Sequence, residues 1–302
     1  MITLNKIEYP YSLSYFKGSR YLECPSCGKR RFKPYCTADG VPIDATKFGR
    51  CQREFKCGYH QSPNKKEYSP VVREFVPLDP FFLPSDYVLP YLNNVDFSSL
   101  LTFFNKSKID FTPIFKDYKV GGTRNGKTIF FQYDGLKWRA GKQMEYCNGY
   151  RSGHVWWLHR DEKLGFNEDK HRLCQCFFGY HLVSKNPDKM IALVESEKTA
   201  LFCAGVFPEF IWLATGGQSQ LSSVNMELIG GRGGVIFPDV DCIPMWAEKV
   251  ATFKRYDVID CTRLNVADKK GADLFDFLVG ENKHESYHFI KEILEKRKIN
   301  AK

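Results

Sequence analysis

The sequence lacks any apolar run of the about 20 residues that a helix needs to cross a bilayer. Its first residues, Met-Ile-Thr-Leu-Asn-Lys, lack the charged region and the apolar stretch of a signal peptide. Internal repeats and low-complexity tracts are absent as well, and hydrophobic residues at 43% with aromatics at 15% exclude long disorder. We therefore expect a cytoplasmic protein without membrane contact. Its 302 residues suffice for two domains of ordinary size.

Cysteine is abundant, with eleven residues, but the odd number and the uneven placement do not suit a disulfide framework. A reducing compartment, a metal site and ordinary buried thiols explain the pattern better. Five cysteines lie within the first sixty residues, and of these we interpret the isolated Cys36 as a non-ligand. Cys174 and Cys176, together with His181, are interpreted as core packing rather than as a second metal site.

The net charge of +9 is unevenly distributed along the chain. Residues 1–72 contain thirteen Lys or Arg and six Asp or Glu, so nearly all of the excess charge lies there. A basic N-terminal module favours a polyanionic partner, because cationic side chains displace the counterions of phosphates.

Changes in composition predict four segments. Residues 1–66 indicate short strands around a metal, and residues 67–116 indicate a connecting segment of short helices interrupted by prolines. Residues 117–186 begin with strand patterns and indicate a mixed α+β subdomain. Residues 187–302 alternate apolar strands with helical stretches and end in an amphipathic helix. This alternation predicts an α/β fold with a mostly parallel sheet.

One segment, Gly121–Thr128, matches the phosphate-binding loop of nucleoside triphosphatases letter for letter. That loop must lead into a helix whose N-terminus holds the phosphates. Here the segment leads into Ile129-Phe-Phe-Gln-Tyr133, which is a strand pattern, and Asn125-Gly126 is typical of a hairpin turn. We therefore predict a β-hairpin and no ATPase site.

Two cysteine clusters are spaced like the halves of a zinc site. Cys24 and Cys27 form the first, and Cys57 belongs to the second. Structural zinc takes four sulfur or nitrogen ligands in a tetrahedron. We predict Cys51 as the fourth ligand, because four-thiolate ribbons are prevalent. His60 is the alternative, because it has the same two-residue spacing from Cys57 as Cys27 has from Cys24. Basic and aromatic side chains around the clusters suit single-stranded DNA, although a zinc ribbon can also dock onto protein.

Acidic residues follow three of the predicted strands. Glu195 follows Ile191–Val194, Asp239 and Asp241 follow Gly234–Pro238, and Asp273 and Asp276 come after the strand around Val258. The carboxyl ends of parallel strands share one edge of a sheet, so we expect these carboxylates to meet there. Their mutual repulsion calls for a cation, and hard oxygen ligands suit Mg²⁺ or Mn²⁺.

Four motifs together resemble the Toprim domain of bacterial-type primases, topoisomerases and some nucleases. They are Val194-Glu-Ser-Glu-Lys-Thr-Ala-Leu201, Thr215-Gly-Gly217, Phe237-Pro-Asp-Val-Asp241 and Gly271-Ala-Asp-Leu-Phe-Asp276. The resemblance implies acid–base chemistry at Glu195, divalent metal at Asp239, Asp241 and Asp273, and a helper role for Asp276.

Stretches between Lys127 and Tyr180 are similar to the basic subdomain that precedes Toprim in primases. This similarity implies nucleotide and template contacts for Arg139 and Lys142. Two positions depart from the Toprim pattern, because Ser196 stands where a glycine is usual and Thr199 where an acid is usual.

The zinc ribbon at the front completes the domain order of a DNA primase, and the whole resembles zinc-ribbon and Toprim proteins of bacterial mobile elements. The resemblance implies a nucleotidyltransferase that uses single-stranded DNA and nucleoside triphosphates. Because no helicase domain is recognisable, it also implies a replicative helicase on a separate chain. A Toprim-type nuclease and a catalytically silent DNA-binding accessory protein stay open as alternatives.

Overall fold

The computed structural model divides the chain into two compact units, Met1–Pro77 and Leu78–Lys302. The described residues are 6–8, 11–16, 21–53, 56–63, 71–73, 78–217, 220–221, 223–229, 231–264 and 271–300. Over these ranges, no helix is both long and apolar enough to span a membrane.

The first unit consists of short antiparallel strands. They are β1 (Lys6–Glu8), β2 (Leu22–Glu23), β3 (Arg30–Pro34), β4 (Gly49–Cys51), β5 (His60–Gln61) and β6 (Val71–Arg73). Strands β2 to β5 form one sheet in chain order, and β1 pairs with β6. Phe32 lies opposite Cys51, and these two residues are buried together with Cys24. A core this small needs additional support, which a bound metal can provide.

Three short helices near the start of the second unit are α1 (Ser85–Asn93), α2 (Ser99–Phe104) and α3 (Thr112–Asp117). The Ser98 hydroxyl caps α2, and a proline lies in the first turn of α3. Phe104 stacks at 5.9 Å from Phe275, which lies far along the chain. These helices therefore contribute to the core of the second unit, a role that the sequence-based description of residues 67–116 as a connecting segment omits.

The middle of the second unit is largely antiparallel. Its strands are β7 (Asp79–Phe81), β8 (Val120–Gly122), β9 (Thr128–Tyr133), β10 (Trp138–Met144), β11 (Tyr146–Cys147), β12 (Tyr150–Arg151), β13 (Trp156–Trp157) and β14 (His171–Leu173). One sheet has the order β13-β10-β9-β8, β11 pairs with β12, and β14 pairs in parallel with β7.

The segment that matches a phosphate-binding loop is a β-hairpin, which confirms the prediction. It connects β8 to β9, and Gly126 in its turn has φ 87°. The Thr128 hydroxyl is buried and lies 2.7 Å from the Ser98 hydroxyl. The side chain that would bind a nucleotide-associated cation in a true loop is therefore part of the core.

A four-stranded parallel sheet forms the last part of the second unit, in the order β16-β15-β17-β18. Its strands are β15 (Ile191–Val194), β16 (Ile211–Ala214), β17 (Gly234–Phe237) and β18 (Tyr256–Val258). The accompanying helices are α4 (His181–Lys185), α5 (Glu197–Val206), α6 (Ser223–Glu227), α7 (Ile243–Val250), α8 (Leu274–Val279) and α9 (Lys283–Asn300).

Both faces of the parallel sheet are covered. Ala192 and Val194 face one apolar cluster, whereas Ile191 and Leu193 face another, as the twofold period of a strand requires. The mixed α/β class and the parallel sheet agree with the sequence analysis. A specifically Toprim-like sheet stays a prediction.

Candidate metal and carboxylate sites

Four thiols of the first unit converge. The Sγ atoms of Cys24, Cys27, Cys51 and Cys57 all lie within 4.8 Å of one another, and the Cys24–Cys57 distance is 3.7 Å. A tetrahedron with zinc–sulfur bonds of about 2.3 Å has sulfur–sulfur edges of about 3.8 Å. Both the donor set and its spacing therefore fit a structural zinc ion.

Glycines shape the two turns that carry these thiols. Gly28 has φ 64° and Gly58 has φ 65°, a left-handed conformation in which a side chain is strained. The Gly28 amide donates to the carbonyl of Cys24 at 2.8 Å, which closes the first turn. Each glycine follows its cysteine directly, and so the chain turns back toward the metal at that point.

The structure distinguishes between the two candidates for the fourth zinc ligand. Cys51 belongs to the thiol cluster, whereas His60 Nε2 lies 3.0 Å from the Tyr35 hydroxyl and the two rings are stacked. Cys36 stays apart, and its thiol donates to the carbonyl of Pro34. Burial raises the pKa of Cys51, and the backbone amide of Tyr59 lowers the pKa of Cys57.

The second site lies at the carboxyl ends of β15 and β17, which are adjacent in the parallel sheet. Val194 and Phe237 are register partners, so Glu195 and Asp239 leave the sheet at the same edge. Asp241 follows in a short 3₁₀ helix, Val240–Cys242. The thiol of Cys242 lies 3.6 Å from Glu195 Oε2 and equally far from Asp241 Oδ1.

Negative charge accumulates at this edge of the sheet, which we call the carboxylate edge and which carries Glu195, Asp239 and Asp241. Burial raises the pKa of Asp239 to about 8, with further contributions from the charges of Glu195, Asp273, Asp241 and Asp276. Burial also raises the pKa of Glu195, with a smaller contribution from Asp241. A divalent cation would relieve this cost, because it favours the ionised form of every nearby carboxylate.

Asp273 and Asp276 have a structural role at the start of α8. Asp273 accepts from the Asp276 amide, and Asp276 accepts from the Asp273 amide, which is a reciprocal capping box. Asp273 Oδ2 also accepts a 2.6 Å hydrogen bond from the Thr199 hydroxyl and lies 3.7 Å from Lys198 Nζ. Both oxygens of Asp273 are therefore already engaged by protein groups.

The carboxylates are less tightly gathered than the thiols. Across the part of the chain that the structure describes, the four-cysteine cluster alone brings three or more potential ligand atoms within 4.8 Å of one another. The oxygen donors suit Mg²⁺ or Mn²⁺ in kind, because these ions retain several waters and need few protein ligands. Asp239 and Asp241 are the residues that would hold the ion, and Glu195 leaves the sheet at the same edge.

Lys142 and Arg139, the predicted nucleotide contacts, occupy different surroundings. Lys142 is 8% exposed, and its Nζ lies 2.7 Å from Glu197 Oε1 and 3.1 Å from the Gly216 carbonyl. Arg139 is half-buried, donates to Asp134 and lies over the Phe82 ring. Arg139 also lines an open cleft of about 480 Å³.

Two residues of this region were missed by the sequence analysis. Glu197 was not assigned a role, although its position two residues after Glu195 was a signal for a second carboxylate near the site. Cys242 was not singled out from the ordinary buried thiols, although it directly follows Asp241. It is buried as expected, and its contacts to two carboxylates are additional.

Comparison with known proteins gives matches at both the sequence and the structural level. The family model of a zinc beta-ribbon finger matches residues 9–70, and that of a domain of unknown function, DUF6371, matches residues 94–240. No curated protein matches the chain. Among solved structures, the zinc-binding and RNA polymerase domains of the Aquifex aeolicus primase match with a TM-score of 0.41 and 12% identity.

That structural match covers 68% of this chain and 58% of the primase chain, so the chain spans less than two-thirds of its neighbour. At this TM-score the likeness carries no argument about function. The zinc-ribbon match includes the four clustered cysteines, and together they support structural zinc. Membership of the primase and Toprim families stays a prediction.

Proposed function

We propose that the protein is a primase-like nucleotidyltransferase that joins nucleotides into a primer on single-stranded DNA. The observation that carries this proposal is the exit of Glu195 and Asp239 from neighbouring parallel strands at one sheet edge, with Asp241 close behind. Carboxylates that follow neighbouring parallel strands at one sheet edge are typical of sites that bind a divalent cation and phosphates.

The chain's own residues would have distinct tasks. Asp239 and Asp241 would hold Mg²⁺ or Mn²⁺, which when bound stabilises negative charge on the attacking and leaving oxygens. Glu195 would accept the proton of the primer 3′-hydroxyl as its oxygen bonds to the α-phosphate and pyrophosphate leaves. For Asp273 the sequence predicts a metal contact, but both of its oxygens accept hydrogen bonds from the protein. It would therefore position α8 and, with Asp276, add negative charge to the site.

Arg139 and Lys142 support the proposal in different ways. Arg139 borders a cleft that also contains Arg172, and this pair of guanidinium groups suits the phosphates of a nucleoside triphosphate. Lys142 would instead position the loop at Gly216, because its ammonium group bonds the carbonyl of that glycine and Glu197.

The zinc ribbon, residues 1–66 in the proposed division, would hold the template. Lys33 of β3 lies opposite Arg50 of β4, and Arg50 lies opposite His60 of β5, so these three side chains form one cross-strand row. Like charges directly opposite each other repel, and a phosphate backbone would relieve that repulsion. Segments 117–186 and 187–302 would bind nucleotides and perform the chemistry, and unwinding would need a separate helicase.

A second candidate is a catalytically silent DNA-binding accessory protein. The specific observation in its favour is the hydrogen bond from Thr199 to Asp273. A threonine occupies the position where the Toprim pattern has an acid, and it engages an oxygen that would otherwise be available to a cation. In this candidate the carboxylate edge is retained for binding rather than for chemistry.

A priming assay tests the proposal. The full chain is incubated with single-stranded DNA, labelled ribonucleotides and Mg²⁺ or Mn²⁺, beside Asp239→Asn. The matched control is Asp188→Asn, which makes the same substitution at an exposed site near the opposite end of β15. Short labelled products from the wild type and Asp188→Asn, but not from Asp239→Asn, are expected.

Other outcomes assign the site differently. Metal-dependent shortening of end-labelled DNA, lost in Asp239→Asn, would make the protein a nuclease. If neither primers nor shortened DNA form, and Asp239→Asn binds DNA as well as the wild type does, the silent accessory protein is favoured.

A further inference from the structure

A rigid hairpin beside the carboxylate edge displays an aromatic side chain to solvent. Strands β11 and β12 are joined by Asn148 and Gly149, which have φ of 50° and 79°. Two successive left-handed residues define the tight turn that best matches strand twist. A Cβ at Gly149 would lie 2.4 Å from the Phe103 ring, so the turn is packed closely against α2. The hairpin is thus fixed in place.

Tyr150 lies directly after this turn and is 48% exposed. Its ring makes an edge-on contact with Phe275 at 6.3 Å, and Lys198 Nζ lies 5.3 Å from its centroid. These contacts support part of the ring and leave nearly half of it accessible. An aromatic ring that is held in position and still exposed is suited to stacking on another flat ring.

The same contacts connect Tyr150 to the candidate site. Lys198 Nζ lies 3.8 Å from the Phe275 centroid and 3.7 Å from Asp273 Oδ2. Tyr146, on the neighbouring strand, is buried, and burial raises the pKa of its hydroxyl, with smaller contributions from the charges of Glu197 and Asp273. The exposed ring is therefore linked through Lys198 to Asp273, whose charge acts on Asp239 at the carboxylate edge.

A cationic residue comes next along the strand. Arg151 follows Tyr150, is exposed, and lies opposite Tyr146 in the hairpin. An exposed aromatic ring next to a guanidinium group is the combination that binds unpaired bases and their phosphates. Bases in a duplex are already stacked and present no free face, so the complementary ligand is a single strand.

We propose that Tyr150 and Arg151 bind single-stranded DNA beside the carboxylates, with Tyr150 stacking on one unpaired base and Arg151 contacting a phosphate. This inference rests on the proposed function, because it gives the site its template. It assigns Tyr150 a positioning role: the stacked base fixes the register of the strand relative to Asp239 and Asp241.

The test measures binding separately from synthesis. All variants are made in the full chain with Asp239→Asn, and the affinity for a fluorescent single-stranded oligonucleotide is measured by anisotropy. Tyr150→Ala is expected to weaken binding about tenfold, whereas Tyr150→Trp and Tyr150→Phe retain it, because stacking needs only the ring. The matched control is Phe97→Ala, which removes a ring of similar exposure, 53%, beside the β8–β9 turn.

Two further measurements distinguish the contribution of base stacking from that of charge. Arg151→Gln is expected to reduce the slope of log affinity against log salt by about 0.7, the value for one phosphate contact of a single strand, and Tyr150→Ala leaves that slope unchanged. Affinity for a duplex of the same length is expected to be unaffected by Tyr150→Ala. An equal loss on duplex and single strand, or an unchanged single-strand affinity, would overturn the inference.

Cross-linking with the unaltered chain decides the matter if Tyr150→Ala does not fold. Oligonucleotides with 5-iodouracil are irradiated in complex with the protein, and the cross-linked peptide is sequenced. A cross-link at Tyr150 is expected, and its absence from the 145–151 region would overturn the inference. If the wild type binds through Tyr150 but makes no primer, the proposed function fails and the inference stands. If primers form and Tyr150→Ala binds normally, the inference alone fails.

Discussion

The Thr199 hydroxyl donates a 2.6 Å hydrogen bond to Asp273 Oδ2, and both residues are buried. A hydrogen bond to a buried carboxylate contributes about 1.5–3 kcal/mol. We expect Thr199→Val, which keeps the shape and removes the donor, to lower the free energy of unfolding by about 2 kcal/mol. Urea denaturation followed by circular dichroism measures this change.

Thr102→Val is the control, because Thr102 is exposed and its hydroxyl donates to the Ser98 carbonyl one turn earlier in the chain. Its effect is expected to be below about 0.5 kcal/mol. An equally small effect for Thr199→Val would show that the bond to Asp273 contributes little.

Lys142 and Glu197 form a buried ion pair that connects β10 to α5. Removal of one partner leaves a buried charge without compensation, which typically costs about 3–5 kcal/mol. Lys142→Met is therefore expected to destabilise the protein by several times more than the double variant Lys142→Met with Glu197→Gln. Denaturant melts of the four proteins in this cycle measure the difference.

A contrary result would support the nucleotide contact that the sequence analysis predicts for Lys142. If Lys142→Met melts like the wild type and yet loses nucleotide affinity, the ammonium group contacts substrate rather than the Gly216 loop.

Zinc should be bound at one ion per chain and should depend on four cysteines. Cys51→Ser is expected to lose the metal and to unfold the first unit, because the buried cluster there is too small to fold unaided. His60→Ala and Cys36→Ser are expected to retain it. The zinc content of the three variants is measured by mass spectrometry after extensive dialysis. If only His60→Ala loses zinc, His60 rather than Cys51 is the fourth ligand.

Acid should destabilise the second unit through His181. Burial lowers the pKa of this imidazole below its usual 6.5, with help from the charges of Lys185 and Lys119. The unfolded chain therefore takes up this proton at a higher pH than the folded chain does. The stabilisation is complete above pH 6.5 and decreases as the pH falls from there through the folded pKa.

His181→Gln retains a donor toward the Asp117 carbonyl, which lies 2.7 Å from His181 Nε2, and cannot titrate. We expect it to flatten the dependence of the unfolding free energy on pH below 6.5. Melts at several pH values measure the slope. An unchanged slope would mean that other groups account for the acid sensitivity.

Local patterns were enough to predict the strands and the carboxylates at their ends. The apolar run before Asp239 and the return of Asp241 two residues later are properties of consecutive residues, and so the sheet edge could be located in advance. The four cysteines were likewise indicated by short spacings. The preference for Cys51 over His60, which the thiol cluster supports, rested on the prevalence of four-thiolate ribbons. Spacing alone could not decide it, because the answer depends on which strand of the ribbon lies nearest the metal.

Contacts between distant segments could not be predicted from the sequence. Lys142 and Glu197 are 55 positions apart, and their pairing depends on how β10 packs against α5. Thr199 and Asp273 are 74 positions apart, and the capping role of Asp273 depends on where α8 begins. A sequence motif identifies the position of an acidic residue. Whether that residue can bind a cation depends on its burial and its hydrogen-bond partners, which the motif does not contain.

The hairpin between β8 and β9 has a consequence for motif searches. Its turn needs a glycine because residue 126 has a positive φ. Strand β9 begins with Thr128, whose hydroxyl hydrogen-bonds the buried Ser98 hydroxyl. Folding requirements alone thus reproduce the spelling of a nucleotide-binding signature. A motif scan that also requires a helical apolar pattern after the Lys-Thr pair would reject such chance matches. Genome surveys of ATPases would then contain fewer false positives.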